Sequence, residues 1–195
     1  MSTPPDSRET FHHGDLRRAL LAAAHAALER EGLGGLGLRE LARAVGVSPA
    51  APYRHFKNRD ALLAALAAQG FARLNHLLVR AQDRVAPAQQ LLALGLAYVE
   101  FARRHPALFQ LMFSPLAGRN ADPDLRAEGA RAFALLKAAA ARETPDTPNE
   151  TALSAWAQVH GLAQLRNDGR IAGGDALVRT LLDGFVAGIR ARRAG

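Results

Sequence analysis

The sequence predicts an all-α protein of about nine helices, and two observations lead to this prediction. Apolar residues recur three and four positions apart along most of the chain, which is the spacing of one face of a helix. No stretch alternates apolar and polar residues as a half-buried strand does. Residues 1–11 are polar and lack this periodicity, so they are expected to form a disordered tail.

The first helix is predicted over residues 15–31, where Leu16, Leu20 and Ala27 share an apolar stripe. The glycines of the following segment, 32–37, match the GxGxxG pattern of dinucleotide-binding loops. That pattern requires a strand before it within a βαβ unit, and here a helix precedes it. The segment is therefore predicted to be a turn between two helices, and the sequence argues against a dinucleotide site.

Residues 38–56 are predicted to form two short helices joined by a tight turn. Leu41 lies on the apolar face of the first helix, and Gly46 suits the left-handed residue that ends it. Ser48 is expected to cap the second helix, which is predicted over 49–55. The exposed side of this second helix is small and then aromatic and basic, as a helix that enters a major groove requires.

This segment resembles the helix-turn-helix of the TetR family of bacterial transcriptional regulators. The matching positions are Leu41, Ala42, Ala44, Val45, Gly46, Val47, Ser48, Tyr53, His55, Phe56, Lys57, Asn58, Arg59, Leu62 and Leu63. Two positions depart from the family pattern, because Pro52 stands in place of Leu or Ile and Ala50 in place of Gly. Proline lacks a backbone donor and disfavours α geometry at the preceding residue, so the start of the recognition helix is expected to be tightened.

The resemblance implies that this segment binds a double-stranded DNA operator. Contacts with the DNA backbone are expected from basic and hydrogen-bonding side chains, which are Arg39, Tyr53, His55, Lys57, Asn58 and Arg59. Base edges are expected to meet the residues of the turn and the recognition helix, which are Ser48, Pro49, Ala50, Ala51 and Arg54. The alternative for Ser48 and Pro49 is helix capping alone, and for Arg39 it is a solvated basic surface.

Six further helices are predicted, beginning near residues 58, 87, 106, 124, 148 and 175. Residues 114–123 are rich in proline, glycine and asparagine and are expected to form a loop. The predicted division is a tail at 1–11, a helix-turn-helix DNA-binding domain at 12–60, and a ligand-binding and dimerisation domain at 61–195.

The sequence Trp-x-x-x-His-Gly at 156–161 resembles the C-terminal domain of one TetR subgroup. The resemblance implies a homodimer that binds a small apolar effector. The expected effector pocket consists of Phe101, His105, Phe109, Met112, Trp156 and His160. The expected dimer seam lies on the last two helices and consists of Val159, Gly161, Val178, Leu181, Leu182 and Phe185. The alternative interpretation of the aromatic and methionine residues is an ordinary apolar core.

Composition narrows the class of protein further. The formal net charge is +7, and residues 39–59 contain five basic residues and one acidic residue, which favours a nucleic-acid partner for this segment. The chain has no cysteine and no run of 18 apolar residues, so neither a disulfide nor a membrane span is expected, and a cytoplasmic location fits. No cofactor is expected. No metal site is expected either, because the seven histidines form no i, i+4 pair and no carboxylate supplies a third ligand at useful spacing.

The expected function is transcriptional regulation by repression at a near-palindromic operator, with release by a small-molecule effector. No acid–base pair or activated nucleophile stands out in the sequence, which argues against an enzyme. Two alternatives remain open at this point. One is a helical small-molecule-binding protein or enzyme with a vestigial DNA-binding head, and the other is nonspecific coating of nucleic acid.

Overall fold

The computed structural model describes residues 13–118 and 122–194, and within these ranges the chain forms helices and no strand. The predicted all-α class is confirmed. The α-helices of the described residues are α1 (His13–Glu31), α2 (Leu38–Ala44), α3 (Arg59–Gln82), α4 (Gln90–Arg104), α5 (Pro106–Met112), α6 (Pro115–Gly118), α7 (Pro123–Glu143), α8 (Pro148–Asn167) and α9 (Asp175–Ala194). Three 3₁₀ helices cover Gly32–Gly35, Ala51–Arg54 and Pro87–Gln89. The tail predicted at 1–11 lies outside the described residues.

Two elements differ from the prediction. The recognition segment is the 3₁₀ helix Ala51–Arg54 and not an α-helix over 49–55. Tightening at Pro52 is therefore confirmed, and it extends through the whole segment. The second difference is α6, which forms one helical turn inside the predicted loop at 114–123. Its first residue is a proline, which suits the first helical position because no backbone donor is needed there.

Helices α1 and α2, the recognition segment and the start of α3 form a head with its own apolar core. Leu20, Leu28, Leu41, Phe56 and Leu62 are each at most 2% exposed. Burying a large apolar side chain stabilises a fold by about 1.5–3 kcal/mol relative to leaving it exposed. These contacts therefore hold α2 and the recognition segment against α1.

Helix α3 joins the head to the rest of the chain. It has 24 residues and is therefore about 36 Å long. Its side chains are buried along most of its length, from Leu62 near the head to Leu78 near its end. By length and hydropathy, α3 alone among the described helices could cross a membrane, but 67% of its most apolar window is buried within the protein. Its apolar surface is thus used in packing against neighbouring helices.

The remaining helices pack around α3 and α4. Helix α3 contacts α7 and α4 most extensively, and α4 lies between α3, α8 and α9. The approach to α4 is close at Gly95, where an added Cβ would lie 3.2 Å from Leu182 Cδ1 and 3.3 Å from Val159 Cγ1. Arg190 of α9 donates two hydrogen bonds to the carboxylate of Glu143, at 2.9 and 2.6 Å. The close approach at Gly95 packs α8 and α9 against α4, and the Arg190–Glu143 pair joins α9 to the end of α7.

Candidate DNA-binding surface and ligand cavity

The turn between α2 and the recognition segment has the geometry that the sequence predicts. Gly46 has φ 73°, in the left-handed region that favours glycine. Its N–H donates to the Arg43 carbonyl at 3.2 Å, and the Val47 N–H donates to the Ala42 carbonyl at 2.9 Å. This pair of bonds is a Schellman motif, which satisfies the last carbonyls of α2. The chain direction after α2 is therefore fixed by backbone bonds.

The recognition segment begins later than the sequence indicates. No side chain caps it, and the residue before its first turn is Ala50, so the prediction that Ser48 caps a helix starting at Pro49 is wrong. Ser48 contributes its backbone carbonyl instead, which accepts a hydrogen bond from the Ala51 N–H at 3.0 Å. Pro52 is buried, and its carbonyl accepts from the N–H groups of two following residues. The proline thus anchors the segment from its inner side.

The outer side of the segment is open to solvent. Ser48, Pro49, Ala50 and Arg54 are exposed, and Ala51 is half-buried. Tyr53 is 49% exposed, which makes it the one large hydrophobic side chain that is exposed among the described residues of the head. A small, uncharged surface followed by an aromatic and a basic side chain has the shape and chemistry to approach a DNA groove.

The residues after the recognition segment divide into two kinds. Lys57 is exposed, as is Arg39 at the start of α2, and His55 is half-buried. Asn58 caps α3, because its side chain accepts a hydrogen bond from the Ala61 N–H at 2.9 Å. The Arg59 guanidinium donates to the Leu33 carbonyl at 2.5 Å and to the Leu36 carbonyl at 3.3 Å.

Arg59 therefore ties the start of α3 to the glycine-rich turn after α1. The sequence predicts a DNA-backbone contact for both Asn58 and Arg59, and the structure gives each an internal bond. The turn carbonyls that Arg59 bonds belong to residues that no local pattern links to it, which is why the sequence indicated only a phosphate contact.

A cavity of about 310 Å³ lies among α3, α4, α7, α8 and α9. Its wall is almost entirely apolar. The lining side chains include Phe71, Leu74, Leu78, Leu92, Leu94, Tyr98, Phe113, Phe133, Leu136, Trp156, Val159, Leu182 and Phe185. The cavity size is in the range of small-molecule sites, which begin at about 300 Å³.

The polar side-chain groups of the described wall are the Trp156 indole N–H and the Tyr98 hydroxyl, and the hydroxyl lies 2.9 Å from Nδ1 of His160. Burial raises the pKa of Tyr98 well above its usual range, and burial lowers the pKa of His160 below its usual range. Both side chains are therefore neutral near physiological pH. The rings of Phe109, Phe113 and Trp156 surround the His160 ring at centroid distances of 5.3, 4.6 and 6.3 Å.

The structure separates the six residues of the predicted effector pocket. Trp156 lines the cavity, and His160 contacts it through Tyr98. Phe101, Phe109 and Met112 are buried in the core, each at most 5% exposed, so the alternative interpretation holds for them. His105 is half-buried between α4 and α5, next to His25 of α1. Most of the lining was missed, since it comes from apolar stripes on five helices that are distant in sequence.

The structure also corrects the predicted dimer seam. Val159, Val178 and Leu182 are buried within the chain, at most 7% exposed, and the half-buried Phe185 lines the cavity. Gly161 and Leu181 are on the outer side. The described large apolar residues with more than a third of their surface exposed, apart from Tyr53, all belong to α8 and α9; they are Leu153, Trp156, Leu165, Leu177 and Leu181.

Most of these side chains belong to rows of apolar and small residues on the outer sides of α8 and α9. At helical spacing, the outer positions of the two helices are Leu153, Ala157, Gly161 and Leu165 on α8 and Leu177, Leu181, Gly184 and Gly188 on α9. We call these eight residues the α8–α9 apolar surface. An added Cβ at Gly161 or Gly184 would meet nothing within 4 Å, so the surface is open at both glycines. The opposite flank of α9 is charged and carries Arg179, Asp183 and Arg190.

Two family models match the chain. Residues 20–66 match the model of bacterial regulatory proteins of the tetR family. Residues 91–187 match that of the tetracyclin repressor-like C-terminal domain. The chain belongs to the TetR family. The resemblance noted from the helix-turn-helix is thereby confirmed, and the protein is a DNA-binding transcriptional regulator.

Solved structures of similar fold cover nearly the whole TetR family chain. A protein with unknown function from Rhodococcus sp. RHA1 is 38% identical, with a TM-score of 0.81, over 92% of this chain and 98% of that one. A TetR family transcription regulator from Marinobacter aquaeolei VT8 is 18% identical, with a TM-score of 0.68, over 88% of this chain and 94% of that one. A TetR family transcriptional regulator from Thermus thermophilus is 19% identical, with a TM-score of 0.64, over 91% of this chain and 97% of that one. The last two show likeness of fold.

Proposed function

We propose that this TetR family protein is a homodimeric, cytoplasmic repressor that binds a near-palindromic operator and is released by a small apolar effector. The observation that carries the proposal is the course of α3. Its first turn carries Arg59, which is bonded to the head, and its later turns supply Phe71, Leu74 and Leu78 to the cavity wall. A ligand in the cavity therefore touches the helix on which the head is mounted.

The proposed DNA interface is the exposed side of the recognition segment and its flanks. Ser48, Pro49, Ala50, Ala51 and Arg54 face base edges, where alanine can contact a thymine methyl and arginine can pair with guanine. Arg39, Tyr53, His55 and Lys57 contact the phosphate backbone and fix the register of the head. Asn58 and Arg59 support this interface from within the head, through the α3 cap and the bonds to the turn. We place the boundary between the DNA-binding domain at 12–60 and the ligand-binding domain at 61–195, inside the first turn of α3.

The proposed dimer forms through the α8–α9 apolar surface. Two copies packed across a two-fold axis would bury Leu153, Leu177 and Leu181, and Gly161 would allow close approach of the helices. A dimer places two heads on one face of the DNA. Heads that read successive major grooves must lie about 34–36 Å apart, which is one helical turn.

The proposed effector is an uncharged, largely apolar molecule. Among the residues that the structure describes, the cavity wall offers no charged side chain, and its polar side-chain groups are the Trp156 indole N–H and the Tyr98 hydroxyl bonded to His160. An effector lowers operator affinity only if it binds more tightly to a conformation with a different head spacing. Burial raises the pKa of the Tyr98 hydroxyl, so it is not an activated nucleophile, and the described residues of the wall include no charged acid–base group. Both features favour a binding site over a catalytic one.

Selection from a randomised pool of double-stranded DNA at physiological salt tests the proposed function. We expect enrichment of an inverted repeat whose half-sites are about one helical turn apart. The double variant Arg54→Ala, Ala50→Glu serves as the control, because its substitutions fall on exposed residues and should abolish enrichment without unfolding the head. Retention of DNA without any enriched sequence would contradict operator recognition and favour nonspecific coating.

A further inference from the structure

Three side chains capable of binding a metal meet where the head joins the rest of the chain. His25 and Glu29 lie four positions apart on α1, and His105 lies between α4 and α5. One ligand atom from each residue lies within 4.8 Å of those of the other two. Because residues four apart share a helix face, both α1 side chains point towards the same corner.

The backbone of His105 is held in place. Its N–H donates to the Phe101 carbonyl at 3.0 Å, and its own carbonyl accepts from the Phe109 N–H at 2.8 Å. Its ring packs against Phe101 at a centroid distance of 5.1 Å and meets the His25 ring edge-on at 6.3 Å. The His105 side chain is thus largely preorganised as a metal ligand, which lowers the conformational cost of binding an ion.

Arg73 of α3 contacts the same cluster. Its Nη1 lies 2.5 Å from Nε2 of His25. Because a guanidinium has donors only, Nε2 must present its lone pair to Arg73. An ion bound through Nε2 would take that same lone pair, and the positive guanidinium of the exposed Arg73 repels an ion bound through either nitrogen. Arg73 therefore competes with the ion.

We propose that His25, Glu29 and His105 form a site for a divalent transition-metal ion of the Zn²⁺ type. Two imidazole nitrogens and one carboxylate are ligands that such ions prefer. Bond lengths of about 2.0–2.2 Å require ligand atoms roughly 3.3 Å apart, and rotation of the α1 side chains can close the present distances. Water would complete the coordination.

The fold explains why the sequence predicts no metal site. The prediction considered ligand spacing along one helix, and the third ligand comes from the distant α4–α5 corner. A bound ion would join α1 of the head to that corner. It would favour the docked head position described here and stabilise the folded chain by mass action.

Calorimetric titration of the full-length, tag-free protein with Zn²⁺ tests the site. Every measurement uses the background His12→Ala, His13→Ala, because those two adjacent histidines offer a separate route to Zn²⁺. We expect one ion per chain, a rise in Tm with Zn²⁺, and no response to Mg²⁺, which prefers oxygen ligands. Absence of Zn²⁺ binding in this background would overturn the proposal.

Variants within the cluster decide whether the bound ion sits there. His105→Ala should weaken Zn²⁺ binding by at least the roughly tenfold that loss of even an outer-shell partner costs. Glu29→Gln is nearly isosteric and exposed, so it gives the same test without a risk to folding. Arg73→Ala should tighten binding, and His76→Ala, an exposed histidine of α3, should leave it unchanged. Equal affinity in the background protein, His105→Ala and Glu29→Gln would overturn the assignment.

Discussion

Lys57 lies two positions before Arg59, the first residue of α3, and the surroundings of the two side chains give them different roles. Lys57 is exposed and projects from the flank of the recognition segment. Arg59 is half-buried and bonded to two carbonyls of the turn after α1. An exposed cation near DNA contributes through phosphate contacts, whereas a guanidinium that satisfies buried carbonyls contributes to folding.

Lys57→Ala is predicted to weaken operator binding and to flatten its salt dependence. Each phosphate contact contributes about 0.9 to the slope of log K against log salt, so a dimer loses about two units of slope. Titration of the operator over a range of salt concentrations measures this slope. Lys137→Ala is the matched control, since Lys137 is the other lysine of the chain and is exposed on α7. Equal slopes for Lys57→Ala and the wild type would refute the phosphate contact.

Arg59→Ala is predicted to destabilise the protein by about 1.5–3 kcal/mol, the usual contribution of hydrogen bonds to a charged group. Urea unfolding measures the change. Arg43→Ala is the control, because Arg43 is exposed on α2 and its replacement should change stability by less than about 0.5 kcal/mol. If both variants were equally stable, the bonds from Arg59 to the turn would have no structural importance.

At the scale of elements, periodicity predicted the helices well and their orientations less well. Gly46 and Pro52 act through the backbone, and the sequence alone indicated both the turn and its tightening. Helix α8 carries apolar residues on several sides, including buried Val159 and exposed Leu153 and Leu165. Periodicity cannot distinguish the inner from the outer face of such a helix, because both are apolar. The predicted seam therefore mixed core residues with surface residues.

Leu181→Glu is predicted to convert the dimer to a monomer. Leu181 is 40% exposed at the centre of the α9 part of the α8–α9 apolar surface, and dimerisation would bury an unpaired carboxylate there. Sedimentation velocity measures the change in mass. Arg179→Glu introduces the same residue on the opposite, charged flank of α9 and should remain dimeric. A dimer that survives Leu181→Glu would place the seam elsewhere.

At the scale of the whole molecule, one long helix connects two functions. The first turn of α3 is hydrogen-bonded to the rest of the head through Arg59, and side chains from its middle and last turns line the cavity. The sequence predicted both domains and the linking helix. It predicted an effector pocket but not most of its lining, because the 310 Å³ space results from how five helices pack and not from any residue pattern within one of them. Three of the six residues assigned to the pocket, Phe101, Phe109 and Met112, instead fill the adjoining core.

Gly129 offers a way to occupy the cavity without a ligand. It lines the cavity from α7, and an added Cβ there would meet nothing within 4 Å. Leucine at this position would place an apolar side chain where the effector is proposed to bind. Replacing a helical glycine also favours the helix by up to about 1 kcal/mol, so the variant should fold at least as well as the wild type.

The central claim is that an occupied cavity lowers operator affinity through α3, and operator binding by Gly129→Leu tests it most directly. Fluorescence anisotropy should show affinity at least about fivefold weaker than that of the wild type, the lower end of usual coupling between sites. Gly129→Ala should bind the operator like the wild type. Loss of binding of the uncharged dye Nile red by Gly129→Leu would show that the side chain fills the cavity. Wild-type operator affinity in a folded Gly129→Leu dimer that no longer binds the dye would contradict the account.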